Sequence, residues 1–296
     1  MKRLIPILLV VILWACAPQR AFYNQKVAGW EANLPDANAK LVQTVFLVGD
    51  AGKPSDKPLE PTLRLLQSQM KAAGEQSATI FLGDNIYSRG LPDSTNEKRA
   101  IAEKYLKTQL NLLKDYQGKG VMIPGNHDWD RMGKNGWKYV QNEQAFVADY
   151  LGKENVFLPT GGCPGPVEVE LSEGLVLLII DTQWWLHQWD KPKGEDGCEV
   201  DSDADFLLAL ADAVKRNKGK KVIVAGHHPM FSNGLHGGHV KPTTHLFPLT
   251  DMKKNLYVPL PGLGSIYAFY RSVIGNVQDI PNPRYKELKK ALTTIF

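Results

Sequence analysis

The chain has 296 residues, of which 43% are apolar and 22% are charged. These proportions are ordinary for a globular protein and exclude a collagen-like, coiled-coil or wholly disordered chain. The length is sufficient to bury a full hydrophobic core. Lysine and arginine number 35 against 31 aspartate and glutamate residues, for a net charge of +4, so charge gives no indication of a nucleic-acid partner.

The N-terminus predicts export and lipid anchoring. Lys2 and Arg3 precede an apolar stretch over residues 4–14, which is too short to span a membrane but typical of a signal peptide. The stretch ends in Leu13-Trp14-Ala15-Cys16, which resembles a bacterial lipobox. We expect a signal peptide over 1–15, a tether over 16–40 lipidated at Cys16, and an exported lipoprotein anchored in a bacterial membrane, facing the periplasm or the cell surface. A plain secretory signal with an incidental cysteine is the alternative.

From residue 41 onward, apolar runs alternate with amphipathic segments. Strands are predicted at 41–48, 78–82, 121–124 and 222–225, with a hairpin formed by 167–171 and 175–180. Helices are predicted at 63–73, 101–113, 140–151, 206–214 and 284–296. The alternation predicts an α/β fold in one domain over 41–296.

Residues 232–282 interrupt this pattern with many glycines, prolines and aromatic residues. We interpret them as an insertion or lid, with an irregular packed loop as the alternative. Within them, the mostly apolar stretch 256–274 contains prolines, glycines and Arg271, so a membrane-spanning helix is not expected there.

Two cysteines remain if Cys16 is lipidated. Cys163 and Cys198 both lie in loop-like, glycine-containing sequence, and neither has a nearby Cys or His with which to hold a metal. Because disulfides persist in the oxidising compartments that exported proteins reach, we favour a disulfide between them over two free thiols.

Four predicted strands end in glycine followed by polar residues. These residues are Asp50, Asp84, Asn126 with His127, and His227. Sites in α/β folds gather at the carboxyl ends of strands, so we expect these side chains to converge. Carboxylate and imidazole ligands suit iron, zinc or manganese, and a pair of such ions stabilises the attacking and leaving oxygens of phosphoryl transfer.

These strand ends resemble the successive motifs of the calcineurin-like metallophosphoesterases. The motifs are Gly49-Asp50-Ala51-Gly52, Gly83-Asp84-Asn85-Ile86-Tyr87, Gly125-Asn126-His127-Asp128 and Gly226-His227-His228-Pro229. The wider superfamily has a histidine where this chain has Gly52. Tyr87 stands where the purple acid phosphatase branch supplies a tyrosinate, so the chain is most similar to that branch and to its tartrate-resistant type. The resemblance implies a β-sandwich of mixed sheets flanked by helices.

The resemblance also implies a role for each site residue. Asp50 and Tyr87 would bind a ferric ion, Asp84 would bridge two metals, and Asn126 and His227 would bind a divalent iron, zinc or manganese ion. His127 and His236 would face the substrate phosphate or its leaving group, and Asp128 would orient His127 by a hydrogen bond.

One motif of the family is missing from this sequence. The family completes its site with Gly-His-x-His, in which one histidine binds each metal, but no histidine follows His245 here. We therefore expect that the sequence lacks the C-terminal portion of the domain, with a natural compact variant of the fold as the alternative.

The function implied is hydrolysis of phosphate monoesters at a dinuclear metal centre, in the manner of an acid phosphatase. The substrate would be a small phosphate ester or a phosphoprotein. A phosphodiesterase or nucleotide hydrolase of the same superfamily is one alternative. The other is a non-catalytic surface lipoprotein with an incomplete metal site, for which the aromatic insertion would be the binding surface.

Overall fold

Strands and helices alternate as the sequence predicts in the computed structural model of the chain, which describes Gly29, Leu34, residues 39–55 and residues 59–296. Within these residues the chain forms six strands and seven α-helices. The predicted signal peptide, the lipidation site Cys16 and most of the predicted tether lie outside the described residues. Residues 42–296 form one compact unit.

The first sheet contains three parallel strands in the order β1–β2–β3. They are β1 (Thr44–Val48), β2 (Ser77–Phe81) and β3 (Lys119–Met122), joined by helices α1 (Pro61–Ala73) and α2 (Arg99–Lys114). Parallel neighbours require such crossover connections. The central strand β2 is buried along its whole length, as expected for a strand covered on both faces.

The second sheet is mixed. Helix α3 (Gly136–Leu151) leads to β4 (Val167–Ser172) and β5 (Leu175–Ile179), which form the predicted antiparallel hairpin. The short helix α4 (Thr182–Leu186) and helix α5 (Asp203–Arg216) then connect to β6 (Lys221–Ala225), which pairs with β5 in parallel.

The two sheets pack face to face. Ile80 and Val121 of the first sheet share a buried apolar cluster with Leu177 and Ile179 of the second. The opposite faces of the strands are covered by the helices, and Phe81 and Leu178 belong to that larger core. Successive side chains along each strand therefore point alternately into the layer between the two sheets and into the layer between a sheet and its helices. This arrangement confirms the predicted α/β class: two small sheets flanked by helices, of which the first is parallel and the second is mixed.

Residues 232–282 are not wholly irregular. They contain single-turn helices at Leu235–Gly237, Pro242–His245 and Pro248–Asp251, and then a helix that the sequence analysis did not predict, α6 (Pro261–Val273). The predicted C-terminal helix follows as α7 (Pro283–Ile295). Of the helices in the described part of the chain, none has the length and apolar character needed to cross a membrane.

Cys163 and Cys198 form a disulfide, with their Cα atoms 5.5 Å apart. The bridge joins the loop before β4 to the segment before α5. It is the pairing favoured by the sequence analysis over two free thiols.

Candidate metal centre

The ends of four strands bring the sequence-predicted residues into one place. Asp50 follows β1, Asp84 follows β2, Asn126 and His127 follow β3, and His227 follows β6. The second and third motifs lie very close to each other, because a Cβ atom on Gly125 would overlap the backbone nitrogen and the carboxylate of Asp84. Glycine before Asn126 is therefore required for the second and third motifs to lie this near to each other.

Asp84 is the centre of the cluster. Its carboxylate is buried, and its Oδ1 accepts a hydrogen bond from the backbone N–H of His127 at 2.9 Å. The Nε2 atom of His227 lies 3.4 Å from Oδ1, and the Nε2 atom of His127 lies 3.9 Å from Oδ2. Asp84 is thus flanked by two imidazoles.

His227 and Asn126 point ligand atoms at the same space. The Nδ1–H of His227 donates to the carbonyl of Leu82 at 2.8 Å, which leaves Nε2 with its lone pair. Nε2 lies 3.0 Å from Oδ1 of Asn126 as well as near Asp84. Three acceptor atoms therefore face one another, an arrangement that a bound cation satisfies.

Asp50 and Tyr87 form the other side of the cluster. The Tyr87 hydroxyl donates to Oδ1 of Asp50 at 2.6 Å. Burial, the hydrogen bond to Asp50 and the charge of Asp84 raise the pKa of Tyr87 far above its ordinary value. Asp50 and Asp84 both have positive φ angles, 58° and 54°, a conformation that costs energy in a non-glycine residue and is concentrated at functional sites.

Gly52 cannot carry a side chain in this backbone. A Cβ atom there would overlap the main chain of Asp84, Asn85 and Ile86. The carbonyl of Gly52 instead accepts a hydrogen bond from the backbone N–H of Tyr87 at 2.9 Å. The position where the superfamily has a histidine is therefore filled by the loop that carries Tyr87.

His127 is held with one nitrogen free. Its Nδ1–H donates to the carbonyl of Ser88 at 2.6 Å, and its ring meets the Tyr87 ring edge to face at 4.4 Å. Nε2 consequently faces the Asp84 carboxylate and can carry or accept a proton. Ser88 was not predicted as a site residue, because a backbone carbonyl has no signature in side-chain identity.

The prediction that Asp128 hydrogen-bonds to His127 is wrong. The Asp128 carboxylate is fully buried and accepts backbone N–H groups from Asn85, Ile86 and Gly125. Burial and the charge of Asp84 raise its pKa to about 8. Asp128 thus ties the second motif to the third, and the fully buried Glu143 interacts with it from α3, with its own pKa raised by burial and by the charge of Asp128.

His236 is fixed by a network at the edge of the site. Its Nδ1–H donates to Oδ1 of the fully buried Asp279 at 2.9 Å, and the same oxygen accepts from Arg271 at 2.8 Å. The hydrogen bond to Asp279 raises the pKa of His236. His236 remains more than half exposed. Burial and the neighbouring His227 lower the pKa of His228, and the charge of His236 adds to this effect. Asp279 and Arg271 were not predicted as site residues.

The donor atoms suit a metal, although the acidic and imidazole groups alone do not define a site. Among the described residues, no group of three or more His, Cys, Asp and Glu side chains is arranged as a metal site. The predicted donor set also uses a phenol and an amide, and hard oxygen atoms with imidazole nitrogen are the ligands of iron, zinc and manganese. The facing acceptors of Asp84, Asn126 and His227 therefore fit a cation.

Comparison with known families identifies the fold. The family model of the calcineurin-like phosphoesterases matches residues 44–272, which is more than half of the chain. No curated relative matches. The matched segment begins at β1 and contains all four motifs. This chain therefore belongs to the calcineurin-like phosphoesterase family.

Proposed function

We propose that the protein hydrolyses phosphate monoesters, as a member of the purple acid phosphatase branch of its family. The family supports a metal-dependent phosphoester hydrolase. Membership of the purple branch is proposed because Tyr87 pairs with Asp50 beside Gly52, which has no side chain. A tyrosine in place of a histidine is the feature that resembles this branch.

The chain offers two groups of ligands. Asp50 and Tyr87 would hold a ferric ion, Asn126 and His227 would hold a divalent iron, zinc or manganese ion, and Asp84 would contact both. When bound, such ions neutralise the charge of phosphoryl oxygens and act as Lewis acids.

His127 is proposed to protonate the leaving alkoxide. Because the Nδ1–H of His127 donates its hydrogen bond to the carbonyl of Ser88, the transferred proton must be carried by Nε2, the nitrogen that faces Asp84. His236 is proposed as the second substrate-facing group, with Asp279 holding its ring in place.

The test compares a monoester with a diester. The metal-reconstituted protein is assayed with p-nitrophenyl phosphate and with bis-p-nitrophenyl phosphate. We expect turnover of the monoester and a fall of roughly 10²–10⁴-fold in kcat for His127→Ala, the usual contribution of general acid catalysis. His245→Ala is the matched control, because His245 is exposed and its Nδ1 pairs with the Ser265 hydroxyl within the insertion.

Two outcomes would overturn the proposal. Preferential turnover of the diester would identify a phosphodiesterase. No turnover of either substrate, with fewer than about two metal ions per chain by plasma mass spectrometry, would favour the non-catalytic lipoprotein with an incomplete site.

We also propose export and anchoring through Cys16. The disulfide supports an oxidising compartment, where such bonds persist. Mass spectrometry of the protein from membranes should find acyl chains on an N-terminal Cys16, and Cys16→Ser should release the protein into the soluble fraction. An unmodified Cys16 in membrane-bound protein would contradict the proposal.

A further inference from the structure

Helix α6 presents an apolar face to solvent. Its inner side, with Gly264, Ala268 and Arg271, is buried, and Gly264 lies against the backbone of His245. Six large apolar side chains on the other side are between 40% and 67% exposed. This outer face consists of Leu263, Ile266, Phe269, Tyr270, Val273 and Ile274.

The outer face is continuous and carries no charge. At about 100° per residue, its side chains cover an arc of roughly 140° around the helix. The one charged residue of α6, Arg271, points inward to Asp279 at 2.8 Å. An amphipathic helix of a soluble domain normally turns its apolar stripe to the core, and exposed apolar patches of this kind mark interaction sites.

The segment that leads into α6 is also apolar and exposed, and it carries positive charge. Met252, Leu256, Tyr257 and Val258 are all exposed. Three single-turn helices contact α6, and three exposed lysines, Lys241, Lys253 and Lys254, flank the last two of them. Asp251 is the one acidic residue between 232 and 274. The exposed segments that flank these turns therefore carry a net positive charge.

We propose that the outer face of α6 docks on an anionic lipid bilayer and lies in its interfacial layer. A helix of 13 residues is about 20 Å long, well short of the roughly 30 Å hydrocarbon core, so it would lie along the surface. Tyr270 and Tyr257 have the amphipathic rings that favour this depth, and the lysines complement anionic headgroups.

Charge favours lipid over a second copy of the chain. A two-fold dimer through the outer face would bring the same patch from both copies together. The dimer would also bring together two copies of a segment that has three lysines and one aspartate, and like charges across an interface are unfavourable. An anionic bilayer meets the apolar face and the lysines together. A second attachment would also strengthen the single lipid anchor proposed at Cys16.

A site-specific probe tests the docking. In the full chain with Cys16→Ser, the substitution Ile266→Cys is labelled with the polarity-sensitive dye NBD. Leu208→Cys on α5 is the matched control, because Leu208 and Ile266 are 66% and 67% exposed. With vesicles of phosphatidylethanolamine and phosphatidylglycerol, we expect a blue shift and brighter emission at 266 and no change at 208. Lys253→Gln and Lys254→Gln should each weaken the vesicle titration by roughly fivefold.

Two results would overturn the inference. One is a label at 266 that behaves like the label at 208 when vesicles are added. The other is a blue shift without vesicles that grows with protein concentration, which would identify a second copy as the occupant. Neither readout requires hydrolysis, so failure here leaves the proposed function unaffected.

Discussion

Removing the Cys163–Cys198 disulfide is expected to lower the free energy of unfolding by about 3.8 kcal/mol. The bridge joins residues 35 apart in sequence. A cross-link at that separation restricts the unfolded chain, and the loop-closure entropy for this length corresponds to the stated energy at room temperature. This is a large share of the roughly 5–15 kcal/mol that stabilises a typical domain.

The folded state should survive the loss of the bridge. The loop beside Cys163 is also held by two hydrogen bonds: the backbone N–H of Asp181 donates to the carbonyl of Pro164 at 2.9 Å, and the Trp137 indole donates to the carbonyl of Gly161 at 2.8 Å. We therefore expect the double serine variant to fold, with the destabilisation arising mainly in the unfolded ensemble.

The assay is urea unfolding followed by tryptophan fluorescence. Cys163→Ser/Cys198→Ser is compared with its parent, both carrying Cys16→Ser to prevent mispairing. With a slope of about 3 kcal/mol per molar urea, the midpoint should fall by roughly 1.3 M. Reductant should bring the parent to the level of the variant and leave the variant unchanged. Equal midpoints, or equal sensitivity of the two proteins to reductant, would refute the reasoning.

Three further predictions concern the site and the core. Asp279→Asn should move the alkaline limb of the pH–rate profile to lower pH, because the hydrogen bond to Asp279 raises the pKa of His236, and a substrate-facing His236 pairs with a phosphate anion in its protonated form. An unmoved limb would exclude His236 from the reaction. Gly125→Ala should abolish most activity and metal uptake, since its Cβ would overlap Asp84, and a full metal content by plasma mass spectrometry would contradict this. Ile80→Ala should lower the free energy of unfolding in urea by about 2–5 kcal/mol, because Ile80 is fully buried between the sheets. The control Leu47→Ala, at the exposed leucine of β1, should change it by less than about 0.5 kcal/mol.

Most of the architecture could be predicted from local patterns. The apolar runs predicted all six strands, and the helices with an inward apolar stripe, such as α1 with Leu63, Leu66 and Met70, were predicted as well. Helix α4 has five residues, too few for a period to be recognised. Helix α6 was missed because its glycines and its outward apolar face do not match the pattern of a core helix.

Contacts between distant segments could not be predicted. Asp128 follows His127 in sequence, but its carboxylate binds backbone groups of the second motif about forty residues away. Asp279 lies 43 residues after His236 and has no motif around it. Residue identity indicated which groups carry the chemistry, whereas the orientation of each group depends on tertiary neighbours and backbone atoms.

The tight fit around Gly52 restricts how this site can change through mutation. The main chain from Asp84 to Ile86 occupies the volume that a side chain at 52 would need, and the same loop is fastened there by the Tyr87 N–H. Gly52→His would therefore be damaging on its own, however useful the imidazole, until the loop had taken another path. The tyrosine and the glycine are therefore expected to be exchanged together or not at all. Which ligand this side of the site can use depends on the path of the loop, so the effect of a substitution at one of the two positions depends on the residue at the other.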